Sequence, residues 1–209
     1  MLSDPLSQQK LVKIFSNKKD RELFISNYDF SATDENNLFY KNYIDNNCLS
    51  LETDILILIL DLSVSIEYFK DILVHHTWSL YKKKRFLFRL TFLDYLCFFQ
   101  RKIDTAIYLE MNESVLKTSS NIALAFQAAI NLYDWDKKYM PYVFKFLKKA
   151  SSNSNYYIFF RIVQFLEQEE KDDFNLKVKD HVKMLLSDKD LILPGNHKFD
   201  LLKRVNDIK

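Results

Sequence analysis

One glycine, Gly195, and three prolines, Pro5, Pro141 and Pro194, are all that the 209 residues hold of the two types that shape most tight turns. Hairpin-joined sheets need many of both, because glycine takes positive φ without strain and proline presets turn geometry. Their scarcity argues against β architecture and predicts an all-α chain. It also removes loops in which backbone must come close to a ligand: phosphate cradles, dinucleotide fingerprints and nucleophile elbows. No catalytic residue, cofactor or enzymatic activity is expected. Cysteine is scarce as well, and Cys48 and Cys97 are too few and too far apart to form a disulfide framework. The longest apolar run, Ile55 to Leu60, sits between Asp54 and Asp61 and falls well short of the about 20 residues that span a bilayer. Met1 to Asp20 is polar, with apolar residues at helical spacing, unlike a secretory signal. A cytoplasmic protein with no membrane partner is the expectation. Excess charge is missing too: 30 Lys and Arg against 28 Asp and Glu give neither the basic surplus of a dedicated nucleic-acid binder nor an acidic surplus.

What is present is apolar patterning. Hydrophobic residues make up 48% of the chain, enough for a continuous core in a single domain spanning residues 1 to 209. The organising stretch is Glu113 to Glu170. Val115, Ile122, Ala125, Phe126, Ala129 and Ile130 recur at three- and four-residue spacing, which predicts a long helix from Ser114 to Leu132. Asp134-Trp135-Asp136 interrupts it. Val143, Phe146, Leu147 and Ala150, with Tyr142, predict a shorter helix over Lys137 to Ala150, and Ser151 to Asn155 offers caps for a third over Tyr156 to Gln168. Upstream, short polar helices before residue 50 suit a capping region. Leu51 to Leu62 taken alone suits a buried strand, but with no hairpin or βαβ partner elsewhere it suits a buried helix better, and Leu80 to Lys102 reads as one long helix apolar on nearly all sides. Downstream, Phe174, Val178, Val182 and Leu185 predict one helix face and Phe199, Leu202 and Val205 another, with Pro194-Gly195-Asn196 as the turn between them.

Long helices beginning near Leu51, Leu80, Ser114, Tyr156 and His197 recur at intervals of about 30 to 40 residues, each pair separated by a shorter helix. With Asp134-Trp135-Asp136 where a new short helix begins and Pro141 in its first turn, residues 51 to 209 resemble the HEAT-like family of helical repeats. The resemblance implies a right-handed α-α solenoid of about ten to twelve helices, whose long helices line a concave face that holds another macromolecule. Small members of that resemblance include bacterial immunity proteins that neutralise a toxin by covering its working surface. Others are DNA alkylation-repair enzymes, which bind nucleic acid, and structural adaptor subunits form a third class.

Candidate contact residues follow from polar stripes and misplaced charges. Tyr157, Arg161, Gln164 and Gln168 stand at i, i+4, i+7 and i+11, and Gln127 and Asn131 form a shorter stripe; in a solenoid, stripes on successive long helices lie side by side. Such residues serve as interface anchors, and they also resemble any solvated helix face. Lys82-Lys83-Lys84-Arg85 is the densest basic run, either a solvated helix start or a patch for phosphate or an acidic protein. Arg89 and Asp94 are charges in an apolar helix, which calls for pairing or emergence on the binding face. The partner-binding set is therefore Arg85, Arg89, Asp94, Gln127, Asn131, Tyr157, Arg161, Gln164 and Gln168, with a protein as partner and nucleic acid as the alternative. His75-His76 with Asp71 lacks a third ligand nearby, so no metal is expected.

Overall fold

The computed structural model describes Asp20, Val74 and residues 77–97, 100, 103–169 and 172–208. Among these residues every regular element is helical and there is no strand. The expected capping helices before residue 50, the buried helix at Leu51 to Leu62 and the His75-His76 pair lie outside the described residues. The chain divides into two compact units, Met1–Thr105 and Ala106–Lys209.

In the first unit, the helix expected from Leu80 to Lys102 is broken. Residues 77–81 are helical, the chain turns at residues 82–84, and α1 then runs over Phe86–Leu96. Aromatic packing accounts for the reversal. The rings of Tyr81 and Phe92 lie 5.9 Å apart, whereas eleven residues of straight helix would separate them by about 16 Å. Trp78 joins the same cluster, 5.2 Å from Tyr81 and 6.3 Å from Phe92. Burial pushes the Tyr81 phenol up to about 12.

In the second unit, the helix expected over Ser114 to Leu132 is two. α2 spans Thr105–Thr118 and α3 spans Ile122–Trp135. Asn121 starts α3 by accepting hydrogen bonds from the backbone N–H groups of Ala123 and Leu124, at 3.0 and 3.2 Å. This side-chain cap competes with continued helix and wins. The break after Trp135 stands where the sequence places it: Asp136 accepts from the Lys138 N–H and opens a 3₁₀ turn, Lys137–Tyr139. α4 follows over Met140–Ser152 with Pro141 in its first turn, and α5 over Tyr156–Gln168, capped by Asn155. α6 spans Asp173–Ser187, capped by Asp172, and α7 spans His197–Asp207.

Packing places α5 against α3, α4, α6 and α7, while α4 also touches α3 and α6, and α6 touches α7. Two interleaved rows result, α3-α5-α7 and α4-α6. One core of Phe126, Tyr133, Leu147, Phe159, Val163, Val182 and Val205, among others, joins them. Two predicted faces are rotated. In α6 the buried residues are Asn175, Val178, Val182 and Leu186, leaving Phe174 exposed. In α7 they are Leu201 and Val205, and Phe199 is 71% exposed.

Candidate partner-binding face

α3 is buried from Ala123 to Tyr133 without interruption, so its two polar residues inside that run must find partners within the protein. Gln127 and Asn131, one turn apart, do so together: the Gln127 Nε2 donates to Asn131 Oδ1 at 3.1 Å. Asn131 Nδ2 in turn donates to Asn112 Oδ1 on α2 at 3.0 Å. Asn112 returns its own amide to the Tyr108 carbonyl at 3.0 Å, and the Tyr108 hydroxyl donates to the Asn131 carbonyl at 2.9 Å. Four hydrogen bonds among four buried residues of two helices thus close on one another away from water.

The chain of bonds continues outward to α5. Arg161 donates from Nε to Gln127 Oε1 at 3.1 Å and from Nη1 to Gln164 Oε1 at 2.6 Å. Two amide oxygens from two helices therefore hold one guanidinium in a fixed plane at the edge of the network. Arg161, Gln164 and Tyr157 are half-buried and Gln168 is exposed. The stripes on α3 and α5 do lie side by side, yet they differ in kind. Gln127 and Asn131 are 1% and 0% exposed and are consumed by packing, whereas the α5 stripe reaches the surface.

On its other side α5 meets α7. Glu167 accepts two hydrogen bonds from Arg204, at 2.8 and 2.6 Å, and the guanidinium also covers the Phe160 ring at 5.3 Å. The Arg204 hydrogen bond holds the Glu167 carboxyl below its usual range. An open cleft of about 420 Å³ adjoins this pair, lined by Leu166, Glu167, Glu169, Arg204, Asp207 and Ile208.

Arg85, Arg89 and Asp94 belong to the first unit. Arg85 is exposed at the N-terminal boundary of α1. Arg89 is half-buried, its guanidinium 5.8 Å from the centre of the Tyr81 ring. The Asp94 carbonyl accepts from Cys97 Sγ at 3.0 Å.

Sequence reasoning missed Asn112, Asn175 and the Glu167–Arg204 pair. Asn175 takes the inward position on α6 because its Oδ1 accepts from the buried Tyr133 hydroxyl at 2.7 Å, with Lys137 Nζ at 3.4 Å from the same oxygen. Burial, above all, raises the Tyr133 phenol beyond the usual tyrosine range, so it remains a donor. The available signal was a lone asparagine at helical spacing from Val178 and Val182. His181 and His197 serve in packing, against Phe144 at 4.6 Å and Tyr156 at 4.3 Å between ring centres. Among the described residues no three His, Cys, Asp or Glu side chains are grouped to hold a metal ion, and no helix is long and apolar enough to cross a membrane. Comparison with protein-family models, with curated proteins and with solved structures gives no match.

Proposed function

We propose that the chain is a non-catalytic, HEAT-like helical-repeat protein that binds another protein along the α3-α5-α7 row. The two interleaved rows support the repeat reading, since stacking of helix pairs brings each helix against the next and the next but one. The observation that carries the binding reading is the fixing of Arg161 by Gln127 and Gln164. An arginine already held in one orientation loses little freedom on binding, and that saving goes directly into affinity. Tyr157 and Gln168, on the same face of α5, add an aromatic, a type enriched at interfaces, and an exposed amide free to hydrogen-bond a partner. A toxin neutralised by occlusion is the partner this reading favours, following the resemblance to bacterial immunity proteins.

The test is affinity capture from the native cell with wild-type chain and with Arg161→Ala. A single specific protein should be retained by wild type, with affinity reduced about 30-fold or more in the variant, as for truncation of an interface arginine anchor. Retention unchanged by Arg161→Ala and Gln168→Ala together would remove this face from consideration. Recovery of nucleic acid instead, with binding that falls steeply as salt rises, would favour the alkylation-repair resemblance.

A further inference from the structure

The basic run of the first unit lies outside the α3-α5-α7 row, and its geometry is distinctive. Lys82, Lys83 and Lys84 occupy the turn before α1 and Arg85 its N-terminal boundary. Lys82, Lys83 and Arg85 are exposed and Lys84 is half-buried. None of the four has a side-chain hydrogen bond or ion pair among the described residues. No acidic residue occurs between Thr77 and Leu93, so nothing in the local sequence balances the charge. Phe86 and Leu87 follow at once, 40% and 63% exposed, in the first turn of α1. Helix Cα–Cβ bonds tilt toward the N-terminus, so both side chains lean toward the cationic turn.

Helix electrostatics add to this. Arg85 supplies no side-chain cap to α1, so the first-turn N–H groups keep their partial positive charge beside four cations. Positive charge there opposes the helix dipole and weakens the fold locally, while the same arrangement attracts a diffuse anionic surface.

We propose that this turn is a contact site for the surface of an anionic lipid bilayer. The four cations meet the headgroups, and Phe86 and Leu87 enter the boundary between headgroups and acyl chains. Lipid is favoured over nucleic acid because the more exposed of the two apolar residues is Leu87, whose branched aliphatic chain partitions into hydrocarbon and has no ring to stack on a base. The longest apolar run, Ile55 to Leu60, is too short to span a bilayer, but a surface contact requires no spanning segment.

The experiment is flotation of the full chain with phosphatidylcholine vesicles, alone or with one-third phosphatidylserine, at low and high salt. Binding is expected only to the anionic vesicles and is expected to weaken as salt rises. Each cation near such a surface strengthens binding about fivefold, so Lys83→Gln should lose about that factor and the Lys82, Lys83, Lys84 and Arg85 to Gln variant more than 100-fold. Leu87→Gln should weaken binding at unchanged charge. Helical content of each variant, read by circular dichroism, checks that the loss is not unfolding. Equal binding to neutral vesicles, no binding to either, or indifference to the four-residue variant would overturn the proposal. So would duplex DNA or RNA binding through the same cations without vesicle binding.

Discussion

Helix α5 is joined to its two row neighbours by polar contacts of opposite character. Toward α3 the seam is backed by a neutral, buried network: Arg161 donates to Gln127 Oε1 at 3.1 Å, and behind it Gln127, Asn131 and Asn112 exchange amide hydrogen bonds at 3.0 to 3.1 Å within α3 and across to α2. Toward α7 it is charged and open: Glu167 and Arg204 pair with side chains each 34% exposed. A buried polar group without its partner keeps the full cost of leaving water, whereas an exposed ion pair that is lost returns to solvent. The two seams should therefore respond differently to single substitutions, to salt and to acid.

The largest effect belongs to Asn131→Ala. It strands Gln127 Nε2 and Asn112 Oδ1 in the interior and leaves a small cavity. A loss of about 3 kcal/mol is expected by chemical denaturation of the full chain. If the variant loses less than about 1 kcal/mol, the amide network that joins α2 to α3 behind Arg161 is not closed. Tyr133→Phe is intermediate: it deprives Asn175 Oδ1 of one donor while Lys137 Nζ stays within 3.4 Å of it. The expected cost is about 1 kcal/mol, and adding Lys137→Met should cost more than the sum of the two single changes.

What the sequence made legible were features with a local cause. Asn155 caps α5 at the end of the Ser151 to Asn155 stretch, the chain breaks at Asp136, Pro141 opens α4, and Gly195 takes φ +52° in the expected turn. What it hid depends on neighbours far along the chain. Ser154 takes the same left-handed φ, +52°, after α4, a position where glycine would be the cue. The cap at Asn121 went unread, because apolar spacing continues on both sides of it. The inward turn of Asn175 at the expense of Phe174 is decided by Tyr133, 42 positions away in sequence. Periodicity located the stripe of Gln127 and Asn131 but not what covers it, and the arginine that meets it stands 34 positions further on.

The smallest effect is at the open seam. Arg204→Gln should cost less than about 1 kcal/mol at low ionic strength and almost nothing at 1 M salt, because a pair this exposed is screened. Its signature is pH dependence. Arg204 lowers the folded carboxyl of Glu167 below its ordinary 4.5, so between the two values the unfolded chain binds more protons. The pair's contribution is complete above about 4.5 and is lost as pH falls through the folded value. Glu167→Gln should flatten that part of the stability curve, while the loss caused by Asn131→Ala should persist unchanged across it, since amides do not titrate. A pH-independent Glu167→Gln difference would mean that α5 and α7 are held by apolar contact and the Phe160 ring, with the ion pair contributing nothing.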